Sequence, residues 1–257
     1  MATQTMPSDV WAGVDRTRLP RHVAVIMDGN RRWALARRLS GKSGHRAGRD
    51  TLRELVKAFK ELGIGYLTAF AFSTENWKRS EDEVGFLWAL FRDTLDKEVD
   101  EMHRNGVRMR FIGEIGELSD DLRQRIADAE RKTRDNTAVT LNVALNYGGR
   151  REIASAARRL AEDIQEGKLT PDQVTEARFG SYLYTGDQPD PDLLIRTSGE
   201  FRISNYLLWQ IAYSEIYVTD TFWPDFGRAD LRDALIAYQG RDRRFGASRE
   251  AAPAKRK

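Results

Sequence analysis

The sequence predicts a single-domain α/β protein built on one mainly parallel sheet, and three observations predict it. Six short apolar segments, 22–27, 65–73, 107–112, 139–145, 192–196 and 215–219, alternate with stretches of helical period. Such alternation builds parallel sheets with helices on both faces. The composition, 40% hydrophobic and 32% charged over 257 residues, is that of an ordinary globular protein. No internal repeat, linker or compositional break divides the chain, so six strands and about seven helices are expected to share one core.

The first strand, His22-Val23-Ala24-Val25-Ile26-Met27, ends abruptly in Asp28-Gly29-Asn30-Arg31-Arg32, and a helix is expected to follow. Next comes GHRAGRDTLRELVKAFKELG, where Leu52, Leu55, Val56, Phe59 and Leu62 fall on one helical face and Gly63 supplies the stop. In the second strand, alternation would put Ala69, Ala71 and Ser73 on one face and Phe70 and Phe72 on the other. Ser80-Glu81-Asp82-Glu83 is a capping-box pattern. It opens a long helix that buries Leu87, Phe91, Leu95 and Met102 and stops near Gly106. Ser119 is placed to cap the next helix, with Leu122, Ile126 and Ala129 inward. Another runs from about Arg150 through Ile153, Ala157, Leu160 and Ile164 to Gly167. Thr170-Pro171 starts a short one, and the last spans 228–239 on Leu231, Leu235 and Tyr238.

Composition removes several classes of function. The chain has no cysteine, which rules out disulfides, zinc thiolates and cysteine nucleophiles. Net charge is only +3 although 42 residues are basic, short of the excess a general nucleic-acid binder carries. No nucleic-acid partner is expected. No run approaches the ~20 apolar residues needed to span a bilayer. The start, MATQTMPSDVWAGVDRTR, lacks the apolar middle of a signal peptide. A cytoplasmic location fits these features. Residues 1–18 and 247–257 read as flexible tails around a folded unit at 19–246. The end, Lys255-Arg256-Lys257, reads as solvated or able to touch anionic lipid.

In parallel α/β sheets, ligands bind at the carboxyl ends of the strands. Asp28-Gly29-Asn30 sits at such an end. It is either a plain turn with Asp28 capping the helix, or a loop whose free N–H groups receive phosphate. In the second case Arg31 and Arg32 add charge-assisted bonds, and Asp28 holds Mg²⁺ that bridges to phosphate. Other strand ends repeat the theme, in Phe72-Ser73-Thr74-Glu75-Asn76-Trp77-Lys78-Arg79 and in Arg196-Thr197-Ser198-Gly199-Glu200-Phe201-Arg202-Ile203-Ser204. Arg196, Arg202 and Ser204 lie close enough in sequence to suit a second diphosphate. His45 is either a surface histidine or part of this site, and Glu215 either an outward strand position or a metal ligand.

HVAVIMDGNRRWA, GHRAG, FSTENWKR, LNYGGR, LLIRTSGEFRISNYLLWQIAYSEIY and RRFG resemble the successive signatures of the cis-prenyltransferases, closest to the bacterial undecaprenyl diphosphate synthase group. The likeness runs from about Leu19 to Gly246. It implies a homodimer with a hydrophobic tunnel between sheet and helices. It implies Mg²⁺-dependent addition of isopentenyl diphosphate to an allylic diphosphate, farnesyl diphosphate, giving a long Z-polyprenyl diphosphate that serves as precursor of the cell-wall lipid carrier. By position, Asp28 resembles the essential metal-linked carboxylate. Gly29, Asn30, Arg32, Trp33 and His45 match the allylic diphosphate site, with Ser73, Glu75, Asn76, Trp77 and Arg79 on a closing loop. Asn76 and a substrate phosphate oxygen are the family's suggestions for the proton acceptor.

Arg196, Arg202, Ser204 and Arg244 match the isopentenyl diphosphate site. Glu215 matches a metal-linked acid serving the site across the dimer contact. Ala71 falls beside the tunnel and Val139 near its floor, and product release implies contact with membrane lipid. One departure stands out: where many relatives carry an arginine, this chain has Gly41, with Lys42 and Arg38 as substitutes. A short-chain Z,E-farnesyl diphosphate synthase would share all these motifs. A catalytically silent partner subunit of the same fold would tend to lose the carboxylate and the arginine cluster, and Asp28, Arg196, Arg202, Ser204 and Glu215 are all present.

Overall fold

The computed structural model describes residues 10–241. Six parallel strands are ordered β3-β4-β2-β1-β5-β6. They are β1 (His22–Ile26), β2 (Tyr66–Phe70), β3 (Val107–Ile112), β4 (Val139–Ala144), β5 (Leu193–Arg196) and β6 (Glu215–Val218). Seven α-helices accompany them among the described residues. These are α1 (Asn30–Ala36), α2 (Gly41–Leu62), α3 (Glu81–Arg104), α4 (Asp120–Thr133), α5 (Gly149–Gln165), α6 (Glu176–Gly180) and α7 (Arg228–Gln239). The six-stranded sheet and seven helices are those the alternation predicts.

The local signals work where their chemistry is unambiguous. Gly63 takes φ 81 and closes α2 with bonds to Phe59 and Lys60, the left-handed cap expected of glycine. The Ser80 side chain accepts from the Glu83 N–H, but Glu83 turns to Arg79, so only half of the predicted capping box forms. Ser119 stands at the α4 N-cap without a side-chain bond. Thr170-Pro171 opens a 3₁₀ turn, Pro171–Gln173, rather than a helix, and α6 begins after Thr175.

One expectation is corrected. The second strand stops at Phe70, and the N–H groups of both Ala71 and Phe72 turn to the Ala144 carbonyl. This slip breaks the period of two. Phe72 therefore joins the core of Leu67 and Ala69 while Phe70 packs on the other face.

β1 begins with a buried histidine. His22 bonds the Pro189 carbonyl and the Thr68 hydroxyl, each at 2.7 Å. Burial pushes its imidazole down to about 4, against the pull of the Pro189 hydrogen bond and Asp192, so it is a neutral core group. β1 lies between β2 and β5, and the chain leaves β1 toward β2 but leaves β5 toward β6. Divergence of neighbouring connections opens a crevice at the carboxyl edge, where α/β folds bind ligands. Asp28 follows β1 into that crevice and Arg196 ends β5 beside it.

Candidate functional site

Gly29 has φ 98, and a Cβ there would come within 2.8 Å of Phe222 and 2.9 Å of the Ser198 hydroxyl. Only glycine lets the chain turn from β1 into α1 against this wall. Gly44 does the same for α2: its Cβ would lie 1.9 Å from the Asn30 carbonyl. The two glycines let α1 and α2 close on the Asp28 loop.

Asp28 is the hub. One carboxylate oxygen accepts from the Gly29 N–H at 2.7 Å and Arg32 at 3.1 Å, the other from Arg196 at 2.8 Å. Burial alone would raise this carboxyl. The hydrogen bond and charge of Arg196, the Gly29 N–H and Arg32 outweigh it and hold the group below the usual carboxylate value. Arg196 is buried and also donates to Ser204 at 2.9 Å and to the Arg202 carbonyl. Glu200 joins Arg32 at 3.1 Å to Arg202 at 2.6 Å. The two arginine clusters read separately in the sequence are therefore one connected network around a single carboxylate.

Three hollows meet here. A polar one of about 550 Å³ is lined by Asp28, Ser73, Glu75, Asn76, Arg79, Arg196 and Ser204. A second, of about 330 Å³, is lined by Asp28, Gly29, Arg31, Arg32 and Glu83. An apolar one of about 160 Å³ runs below them between the sheet and helices α2 and α3. Met27, Asn30 and His45 line all three. His45 is half-buried; burial and then the Arg79 charge lower its pKa against the pull of Glu83, 3.9 Å away. It is a neutral imidazole at the junction of polar and apolar space.

The loop beyond Arg196 is strained. Four of the six non-glycine residues with positive φ among the described residues, Ser198, Ser204, Asn205 and Leu207, fall within it. Strained backbone concentrates where function demands a fixed geometry. Three buried polar atoms around Asp28 have no hydrogen-bond partner: Asn30 Oδ1, Arg196 Nε and Ser198 Oγ. Buried polar groups left unpaired within the protein mark strain, a catalytic role, or a place for water or a bound ion.

Not every predicted residue arrives. Trp33 lines none of the three hollows; its indole N–H bonds Asp225 at 2.6 Å and its ring carries Arg37. Trp77 is 48% exposed, bonds Asn146 at 2.8 Å and leans on Phe72 and Trp88. Ala71 stands at the mouth shared by the apolar hollow and the larger polar one. Val139 is fully buried in the core but does not line the apolar hollow, where β4 contributes Leu141 and Val143 and the residue after it, Leu145. Glu215 begins β6, in register with Leu193 and so at the opposite end of the sheet from Asp28, and pairs with Arg241 at 2.8 Å. Within one chain the two acids share no site. Arg244 lies outside the described residues.

Lys42 sits over the Phe86 ring, and neither it nor Arg38 lines the hollows. Arg31 does, and its Cγ would lie 3.6 Å from a Cβ on Gly41. The sequence reading also passed over Thr197, whose hydroxyl accepts from the Asp28 N–H at 3.0 Å and donates to its carbonyl at 2.7 Å. Asn205 was missed as well. It bonds Glu75 and caps the start of α5. No local pattern marks either residue, because each acts through a chain contact far away in sequence.

No cluster of three His, Asp or Glu side chains stands ready for a metal among the described residues. A site for Mg²⁺ needs only one or two carboxylates together with substrate phosphates. The ionised Asp28, opening on two polar hollows, fits such a role.

A sheet whose carboxyl edge gathers cations around one acid above an apolar cavity defines a protein for amphipathic substrates, with a phosphate head and a hydrocarbon tail. Comparison with known proteins agrees. Residues 26–246 match the family described as "Putative undecaprenyl diphosphate synthase". An isoprenyl transferase of Heliobacterium mobile is 53% identical over 91% of this chain and 90% of its own. A ditrans,polycis-undecaprenyl-diphosphate synthase of Xanthomonas axonopodis pv. citri, named as (2E,6E)-farnesyl-diphosphate specific, is 51% identical over 89% of each. Lavandulyl diphosphate synthase from Lavandula x intermedia, solved with dimethylallyl diphosphate, superposes with a TM-score of 0.86 at 39% identity, covering 90% of this chain and all of that one. The chain belongs to the undecaprenyl diphosphate synthase family, and it is a prenyltransferase.

Proposed function

We propose that this prenyltransferase adds isopentenyl diphosphate repeatedly to farnesyl diphosphate, in the presence of Mg²⁺, to make a long Z-polyprenyl diphosphate of the undecaprenyl class. The observation that carries the reading is the junction at Met27, Asn30 and His45, where two polar hollows open onto one apolar cavity. A single substrate with head and tail fits across it, and a second head fits beside Arg196 and Ser204. The naming of the Xanthomonas relative supports the choice of primer.

In this reading the allylic diphosphate lies against Gly29, Asn30, Arg31, Arg32 and His45, with Arg31 in the space beside Gly41. Arg196, Arg202 and Ser204 receive isopentenyl diphosphate. Asp28 would hold Mg²⁺, which supplies charge to the departing diphosphate. The allylic carbon–oxygen bond breaks, and the arginines stabilise the negative charge that develops on the leaving group. The terminal alkene carbon of isopentenyl diphosphate forms the new carbon–carbon bond. A proton then passes from the methylene beside the resulting cation to a substrate phosphate oxygen, giving a Z double bond. Asn76, fixed by its bond from the Ser73 N–H at 3.1 Å, lines the same hollow. Asp28 and Arg196 neutralise each other in the free protein, so substrate binding exchanges that ion pair for bonds to diphosphate.

The functional unit is placed at 19–246 and acts as a homodimer. The exposed edge strand β6 and the exposed Tyr213 and Ile216 support that assembly. Glu215 then belongs to the partner's site. No described helix is long and apolar enough to cross a membrane. Release of so apolar a product implies contact with a lipid surface from a cytoplasmic location.

Radiolabelled isopentenyl diphosphate, offered with farnesyl diphosphate with and without Mg²⁺ and resolved by chain length, tests the reading. A ladder of long products that vanishes with chelator is expected. The short-chain alternative has one observation on its side, the small volume of the apolar cavity, and a single addition to a shorter primer would establish it.

A further inference from the structure

The walls of the apolar cavity differ in kind. The sheet side is held by backbone ladders between β2, β4 and β3. The side between α2 and α3 is lined by apolar residues such as Leu52, Phe91 and Leu95 and bridged by ions. Arg49 meets Asp93 at 3.4 Å, Arg53 meets Glu98 at 2.9 Å, and Lys57 meets Glu101 at 3.4 Å. On α2 these cations are four residues apart and so form one stripe along the helix. Arg53 and Glu98 also face the cavity as part of its wall. Glu98 is 8% exposed, and its Oε2 has no hydrogen-bond partner.

An ion pair is a poor way to glue two helices, because apolar residues of similar volume hold as well or better. What distinguishes it is how it opens. Parting an apolar seam exposes hydrocarbon to water. Parting these pairs frees charged groups for solvent: the Arg53 and Lys57 side chains are already 29% and 41% exposed, and the buried Glu98 carboxylate, its side chain 11% exposed, gains the water it lacks. The other edge of α3 carries a similar seam, from Asp96 and Asp100 to Arg125 and Lys132 of α4. Opening is also required. At about 160 Å³ the cavity is smaller than the ~300–1,000 Å³ of ordinary ligand pockets.

We infer that the α2–α3 ion pairs, Arg53–Glu98 above all, form a parting seam that admits the growing chain and thereby sets product length. The inference rests on the reading of this protein as a chain-elongating prenyltransferase. It is tested with Arg53→Met/Glu98→Met, which seals the seam with hydrocarbon, and with the swap Arg53→Glu/Glu98→Arg, which keeps the pair. Lys57→Met/Glu101→Met serves as a milder seal should the first variant lose its melting transition.

Lys57→Met/Glu101→Met, at residues outside the cavity lining, should carry out the first condensation at the parental rate. In every folded sealed variant the ratio of full-length to shorter products should fall about 5-fold relative to that variant's own first condensation, the scale of one ion pair. The swap should restore the parental distribution. Unchanged product length in the folded sealed variants would overturn the seam, as would a swap that shortens products as much as sealing does. A parent protein that never extends farnesyl diphosphate would sink the underlying reading, and the seam with it.

Discussion

On one face of the sheet Phe70 stacks on Tyr206 with ring centroids 4.4 Å apart, and Tyr147 meets both rings edge-on. On the other face Leu141, Val143 and Phe111 look into a cavity. The same strands supply both faces by alternation, yet one is packed solid and the other left hollow. The solid face even absorbs a carboxylate: buried Glu152 accepts from Tyr147, from the Tyr184 N–H at 2.8 Å and from Gln210 at 3.0 Å. Withholding packing costs stability, so it marks the place where a substrate tail is to supply the missing contacts. The two carboxylates that border these regions also differ. Asp28 is held low by arginines it can release, whereas Glu152 is pushed up by burial, against its hydrogen bonds, in a network with no arginine partner at bonding distance.

The largest effect is expected at the hollow side's head. Asp28→Ala should leave the fold assembled, because Arg196 keeps Ser204 and the Arg202 carbonyl. Turnover should fall by at least roughly 10²-fold, the scale of losing one preorganised electrostatic contact. Near-parental incorporation of isopentenyl diphosphate by the folded variant would remove Asp28 from the chemistry.

Matched truncations on the two faces sharpen the contrast. Leu194→Ala on the solid side should approach the upper end of the ~2.7–5.0 kcal/mol range for buried leucines, and Leu141→Ala on the hollow side the lower end. Both residues are almost fully buried, at 1% and 2% exposure, so the difference isolates packing. Denaturant melts measure it, and equal losses would mean that the hollow face is as tightly supported as the solid one.

Arg202→Ala should weaken isopentenyl diphosphate by roughly 1.5–3 kcal/mol, the value of a charge-assisted bond, with the allylic substrate less affected. Arg196→Ala should hurt both, since Arg196 also holds Asp28. Separate KM values for the two substrates decide this, and equal losses from Arg202→Ala would argue against distinct subsites.

The smallest effect is in pH dependence. Glu152 has a folded pKa above its usual 4.5, so the folded state holds its proton more tightly than the unfolded one. Its contribution to stability therefore rises as pH falls from above the raised value to below 4.5. Asp28, lowered from 3.8, behaves oppositely: its contribution is present above that value and lost as acid takes pH below it. Glu152→Gln should remove the gain that builds as pH falls toward 4.5 and leave the acid loss below 3.8, which thermal melts on both sides of that range would show.

Much of this was legible early because it depends on neighbours in sequence. β1 and the Asp28 loop, the Gly63 stop and the bounds of α7 follow from apolar runs, turn chemistry and helical period. The end of β2 was misread because a slip in pairing depends on Ala144, far along the chain, and leaves no mark in the local pattern. Trp33 looked like a site residue by position, but Asp225 captures its indole.

By itself the sequence determined the fold class, which rests on the alternation of apolar strands with helical periods, and it put the candidate residues Asp28 and Arg196 at the carboxyl ends of strands. Only the tertiary structure decided that Asp28 and Arg196 pair directly and that Glu215 lies at the far end of the sheet from them within one chain. It also decided that one side of the apolar cavity is bridged by an ionic seam. Those facts depend on which surfaces meet when α2, α3 and the 198–207 loop close over the sheet, and no local stretch of sequence encodes that packing.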